Sequence, residues 1–186
     1  MGTESHRVGI IPIGEIPSIA PKVIAAHISG YLNLQAVVVP PRQRPAYAFD
    51  QNRLQYNVGT IIQQMESSPV KGVKKMVGVL SVDLFVPIFT HVFGEARQGG
   101  RVALVSMYRL GKNPEDLEQP SSGLLERTAK VALHELCHLY NLTHCENHDC
   151  LMHFSGNLED LDLTPLVFCR YCMRRFRDVV RRTSAL

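Results

Sequence analysis

Residues 134–144 read His134-Glu135-Leu136-Cys137-His138-Leu139-Tyr140-Asn141-Leu142-Thr143-His144, and no other stretch restricts the fold so tightly. Two histidines four apart project from one face of a helix, near enough to share an ion. His144 can join them only if the helix ends and the chain turns back. Glu135 stands beside the first histidine, where its carboxylate can face a metal-bound water rather than the metal. Zinc prefers four ligands in a tetrahedron. His134, His138 and His144 supply three and leave one position open, as a catalytic site requires.

The five cysteines, Cys137, Cys145, Cys150, Cys169 and Cys172, all lie in the last third of the chain. An odd, clustered set without an export signal argues for metal rather than a disulfide framework. Cys145-x4-Cys150 and Cys169-x2-Cys172 form two short-spaced pairs, which suit a closed, structural zinc site. Such a site would clamp the loop after the helix to the C-terminal helix. Cys145 follows His144 directly, so the clamp would also fix the third histidine. Cys137 is offset from the face shared by His134 and His138 and reads as a small buried hydrophobe.

The remaining sequence is that of an ordinary globular domain. The chain has 186 residues, 45% hydrophobic and 20% charged, with a net charge of +3. This excludes a disordered tail, a collagen and a coiled coil, and fits one domain over residues 1–186. The weakly charged region Val8–Pro41 is broken by prolines, Glu15 and Lys22, whereas a membrane span needs about 20 uninterrupted apolar residues. Gly9, Pro12, Gly14 and Glu15 spoil the apolar core of any signal peptide. The expected location is cytoplasmic, with no membrane partner.

Periodicity predicts strands at Val8–Ile13, Gln35–Val39 and Val73–Val82, and a strand pair, Val92–Ala96 with Val102–Tyr108, flanking the turn at Arg97–Gly100. Helices are predicted from Pro21 to about Leu32, over Asn57–Met65 and over Leu124–Tyr140. Residues 40–50 and 141–163 read as loops. Thr164-Pro165 is the expected cap and first residue of a C-terminal helix running toward Arg182. The fold class is α/β (α+β): a mixed sheet with helices, then an irregular metal-rich end. The division falls between an N-terminal part, 1–140, which includes the helix bearing His134, and a C-terminal part, 141–186, with the four-cysteine site.

The run from His134 to Cys172 resembles the archaemetzincins, zinc metalloproteases of the metzincin clan. The clan motif is H-E-x-x-H-x-x-G-x-x-H with a downstream Met-turn. The archaemetzincin pattern adds a Cys after the third His, a Cys-x4-Cys-x-Met run and a distal Cys-x-x-Cys. His134, Glu135, His138, His144, Cys145, Cys150, Met152, Cys169 and Cys172 supply these in order. The segments Val92–Ala96 and Arg101–Leu110 also resemble the family's strands before the active-site helix. The resemblance implies a metzincin-like single domain with a twisted mixed sheet, two zinc ions per chain and peptide or protein substrates. It implies that the three histidines hold a catalytic zinc, that Glu135 is the general base, and that Cys145, Cys150, Cys169 and Cys172 hold a structural zinc. Met152 would be the Met-turn residue. Substrate-binding residues are not identified, except that an extended peptide would add to the edge strand near Val92–Ala96.

Asn141 stands where the clan has glycine. The position calls for a left-handed backbone, which Asn adopts more readily than other non-glycine residues. Phe154 stands where some metzincins carry a metal-binding Tyr, and Phe cannot ligate zinc. His148 and His153 read as loop histidines with local hydrogen bonds, and His6, His27 and His91 as structural or surface residues. The last helix carries Arg170, Arg174, Arg175, Arg177, Arg181 and Arg182. They read as a solvated face, and nucleic acid is not an expected partner. The competing functional reading is a noncatalytic binding module stabilised by the four-cysteine zinc, with a weak or empty histidine site.

Overall fold

The computed structural model describes residues 7–111 and 114–184; His6 lies outside them. Five strands form the main sheet: β1 (Val8–Pro12), β2 (Ala36–Val38), β5 (Lys75–Leu80), β7 (Gly94–Ala96) and β8 (Val102–Ser106), in the order β2-β1-β5-β8-β7. Neighbours run parallel except β7, which is antiparallel to β8 and lies at an edge. The near-continuous apolar runs of β1, β5 and β8 follow from this position, since inner parallel strands are covered on both faces. A smaller sheet joins β3 (Phe49–Asp50), β4 (Gln55–Asn57) and β6 (Leu84–Phe85), in the order β3-β4-β6.

Helices α1 (Ile19–Leu32) and α3 (Ser122–Leu139) cover one face of the main sheet, and α2 (Val58–Ser67) covers the other. On the first face Ile24 and Ile28 of α1 pack with Val77, Val105, Leu133 and Leu136. Burying each such side chain stabilises the fold by about 1.5–3 kcal/mol. On the second, Ile61, Ile62 and Met65 of α2 meet Ile11, Met76 and Leu104. His27 and Tyr31 of α1 stack on each other outside the core, in keeping with a structural or surface role for His27.

Two helix starts follow from side-chain caps. Asn57 Oδ1 accepts the Thr60 N–H at 3.1 Å, and Ser121 Oγ accepts the Leu124 N–H at 3.2 Å. These bonds satisfy amides that the first helical turn leaves free. The Ser121 cap places the start of α3 two residues earlier than its apolar pattern indicates.

The structure corrects the sequence reading at three places. Residues 40–50 contain a short 3-10 turn at Ala46–Ala48 and strand β3 rather than loop alone. The predicted loop 141–163 ends in a helix, α4 (Leu158–Leu163), capped by Asn157 Oδ1, which accepts the Asp160 N–H at 2.9 Å. Thr164 closes α4 instead of opening the last helix: its N–H and its hydroxyl both donate to Asp160 O. The C-terminal helix α5 therefore begins later and spans Arg170–Ser184. Its Cys172 and Phe176 are buried, and its six arginines are exposed. Among the described residues, no helix is long and apolar enough to cross a membrane.

Candidate functional site

Helix α3 lies beneath the β7 edge and carries His134, Glu135 and His138. Its end is a Schellman motif. Asn141 N–H donates to His138 O and Leu142 N–H to Cys137 O, at 3.0 and 3.1 Å. Asn141 has φ +62°, as the sequence reading expects of this position. The turn redirects the chain so that His144 returns to the helix face. The nitrogens of His134, His138 and His144 come within 4.8 Å of one another.

Backbone carbonyls fix the tautomers of the first two rings. His134 Nδ1–H donates to Leu151 O at 2.8 Å, and His138 Nδ1–H donates to Leu142 O at 2.7 Å. Both Nε2 atoms are then bare lone pairs, and they stand 3.0 Å apart. Two acceptors at that distance repel unless a cation lies between them. Tetrahedral zinc with bonds of about 2.0–2.1 Å sets nitrogen–nitrogen edges of about 3.3 Å, so the donor set fits zinc. Burial, reinforced by His138, pushes the His134 pKa down to about 3. Burial lowers His138 and His144 as well. The rings are thus neutral, as metal ligation requires.

The four cysteines form a second cluster, with sulfurs within 4.8 Å of one another. Cys145 Sγ and Cys169 Sγ are 3.9 Å apart. A zinc tetrahedron with Zn–S bonds of about 2.3 Å has edges of about 3.8 Å. Backbone amides point at the sulfurs: Cys169 N–H toward Cys150 Sγ at 3.3 Å, and Cys172 N–H toward Cys169 Sγ at 3.5 Å. Burial opposes ionisation at Cys169, but hydrogen bonds from Cys172 and its neighbours outweigh it and lower that thiol. Burial raises Cys150 and Cys172. Four crowded sulfurs with inward-pointing donors fit a closed structural zinc, as the three-histidine set fits an open catalytic one. Cys137 is fully buried in the main core, as expected.

A cavity of about 620 Å³ opens over the histidines. Its walls include Phe93, Gly94 and Ala96 from β7 and its approach, Glu135 and Val131 from α3, and Leu161 and Thr164 from the α4 region. Gly94 allows the strand to lie close on the helix. A Cβ there would stand 2.6 Å from Val131 Cγ1 and 2.8 Å from Glu135 Cγ. Burial, and then the charge of Glu95, push the Glu135 pKa well above the carboxylate range. Arg127 and Lys130, two turns and one turn before His134, fasten α4 to α3. Arg127 grips Asp162 through two 2.6 Å bonds, and Lys130 Nζ donates to Leu161 O at 3.1 Å.

Several sequence-level assignments differ in weight from their places in the fold. His91 lines the cavity rather than the outer surface, and so do Gln98 and Lys130. The i−4 spacing of Lys130 from His134 was the available signal for that residue; nothing local marks the other two. His153 Nδ1–H donates to Cys145 O at 2.9 Å and packs on His148, which matches local hydrogen bonding. Phe154 sets its ring edge-on to His144, 5.3 Å between centroids. Met152 is fully buried, and its carbonyl accepts the Cys145 N–H at 2.8 Å.

Comparison with known proteins agrees with this geometry. The family profile of Peptidase family M54 matches residues 44–178. An archaemetzincin of Pyrococcus abyssi is 31% identical over 182 residues, covering 94% of this chain and 96% of its own. One from Thermococcus kodakarensis is 34% identical over 174 residues, covering 89% and 92%. The crystal structure of archaemetzincin from Methanopyrus kandleri matches with a TM-score of 0.83 at 30% identity, covering 96% of this chain and 97% of that one. The archaemetzincin of Archaeoglobus fulgidus, crystallised in complex with malonate, gives 0.77 at 31% identity, covering 91% and 99%. Sequence, fold and paired metal clusters agree: the chain belongs to peptidase family M54, the archaemetzincins, and is a zinc metallopeptidase.

Proposed function

We propose that the chain hydrolyses peptide bonds at the three-histidine site, with Glu135 as general base. The observation that carries this reading is the convergence of bare imidazole nitrogens, the Glu135 carboxyl group and a free strand edge on a single cavity. His134, His138 and His144 would hold the catalytic zinc. Cys145, Cys150, Cys169 and Cys172 would hold the structural one, with buried Met152 as the Met-turn residue. Zinc in the histidine site supplies Lewis acidity, lowering the pKa of water toward about 7 and polarising a carbonyl.

The chain's own groups do the rest. Glu135 lines the cavity beside the three histidines, so its carboxylate is placed to take a proton from the attacking water and return it to the leaving amine. The β7 edge orients the substrate. Phe93 O accepts the Ser106 N–H, so ladder alternation turns the backbone groups of Gly94 and Ala96 away from β8. An extended peptide can pair with those groups. The apolar wall of Phe93, Val131 and Leu161 supports side-chain preference and excludes water. Reduced cysteines serving as ligands suit a cytoplasmic location. The proposed partner is a peptide or protein substrate, and the arginines of α5 are read as a solvated face.

The test uses zinc-loaded wild type and Glu135→Ala on a peptide library. The variant should lose about 10²–10⁴-fold in kcat/KM while keeping both zinc ions. Equal cleavage by the two proteins would remove the general-base role.

A further inference from the structure

The turn between β7 and β8 makes bonds that the peptidase reading leaves unused. Gly99 N–H donates to His138 O at 2.9 Å, the same carbonyl that closes the Schellman turn. Gln98 Nε2–H donates to Leu142 O at 3.1 Å, the carbonyl that holds His138 Nδ1–H. Lys75 Nζ, entering from β5, joins the two sides by donating to Gly100 O at 2.7 Å and Leu139 O at 2.9 Å. The end of a helix leaves its last carbonyls without intrahelical partners. Here donors brought from elsewhere in the chain serve those of His138 and Leu139, with the ring-holding carbonyl of Leu142 beside them.

Asn141 fits against the same turn. A Cβ at position 99 would lie 2.6 Å from Asn141 Oδ1 and 3.3 Å from its Cγ and Nδ2. Gly99 and Asn141 both have left-handed backbones, φ +68° and +62°. A side chain at 99 would push on Asn141, and so on the turn that sets both His138 and His144.

The geometry points to Gln98 and Gly99 as positioning residues for the histidine metal site: the hairpin turn caps the active-site helix and sets its zinc affinity, with Asn141 seated on Gly99. The inference rests on the reading of His138 as a zinc ligand. Outer partners of metal-bound histidines fix ring orientation, and losing one typically costs about 10–100-fold in metal affinity.

A double-mutant cycle on the full chain tests it. Zinc affinity at the histidine site is measured by competition with a chromophoric chelator, with the four-cysteine zinc counted separately as a control for folding. Gly99→Ala should weaken the histidine site by about 10-fold or more. Part of that loss is backbone strain at positive φ, which is independent of residue 141. The contact-specific part disappears in an Asn141→Gly background, so the loss there should be at least about fivefold smaller. Gln98→Ala, which adds no bulk, should weaken zinc about 10-fold and alter the visible spectrum of the cobalt-substituted histidine site. Equal losses from Gly99→Ala in both backgrounds would overturn the seating of Asn141. Unchanged zinc affinity and an unchanged cobalt spectrum in Gln98→Ala would overturn the role of Gln98. A wild type that binds only the four-cysteine zinc would remove the ligand reading of His138 instead, and the cap's role with it.

Discussion

The two metal clusters meet in the chain at His144 and Cys145, yet they are built on opposite plans. The cysteine cluster closes on itself: four sulfurs from two segments, with backbone amides aimed inward. The histidine cluster is half of an enclosure. Its rings are fixed from behind by the carbonyls of Leu151 and Leu142, while the front opens on a cavity of about 620 Å³. With zinc bound, the first site would hold the fold together, and the second would depend on a fold already held. The difference teaches where each cluster's rigidity comes from. The cysteines would obtain theirs from a bound zinc. The histidines obtain theirs from a helix, a capped turn and a neighbouring hairpin.

The largest effect that can break this contrast is loss of the closed site. A structural zinc contributes on the order of 10 kcal/mol in small finger peptides, and about 1 kcal/mol moves the melting midpoint of a chain this size by 2–4 °C. Cys172→Ser should therefore lower the midpoint by more than about 10 °C and also empty the histidine site, since Cys145 anchors His144. A thermal scan with zinc counting checks both. A variant that melts like wild type would show that the cysteine cluster is not what holds the C-terminal part.

A smaller effect sharpens the contrast from the other side. Gly94→Ala would force a methyl group between β7 and Glu135, an overpacking that costs about 1–3 kcal/mol. Peptidase kcat/KM should fall about tenfold or more as Glu135 shifts, while both zinc ions stay bound. Full activity in this variant would mean that the strand and helix are not held in the close register described.

The smallest effect concerns protons. Well above pH 6.5 the histidines are neutral in both folded and unfolded chains and give stability no pH dependence. As pH falls below 6.5 the unfolded chain takes up protons that His134, whose folded pKa is about 3, refuses. Stability of protein stripped at the histidine site therefore declines between about pH 6.5 and 3. Glu135 has the opposite sign. Its raised pKa favours the folded state at low pH, and that contribution is lost as pH rises through its folded value. His134→Asn should flatten the fall in melting midpoint between pH 6.5 and 5, and an unchanged slope would contradict the buried, neutral ring.

Much of this was legible in the sequence, for identifiable reasons. The two side-chain clusters depend on residue type and short spacing, so the gathering of His134, His138 and His144 and of the four cysteines could be read directly. Asn141 was legible because few side chains accept a left-handed backbone. The main strands and three of the helices follow from apolar periodicity. What escaped depends on long-range contact. Gln98 and His91 acquire meaning only once β7 lies over α3, and no local pattern marks them. Helix α4 has a single turn or so of apolar signal, and only the Asn157-to-Asp160 cap announces it. Thr164 was misplaced because a Thr-Pro pair fits a helix start, whereas here its hydroxyl is committed to the helix before it.

The contact between Gly99 and Asn141 also bears on how this chain can change over generations. The two positions are 42 residues apart in sequence but share one small volume. With Asn at 141, a side chain at 99 meets both the Asn141 amide and the cost of a left-handed backbone. With Gly at 141, the volume is released and position 99 gains latitude. The effects of substitutions at the two sites are therefore coupled: shrinking 141 lowers the cost of a side chain at 99 but leaves the cost of its left-handed backbone. A sequence survey that treats the two sites as independent would misjudge which archaemetzincin variants can be reached from this one.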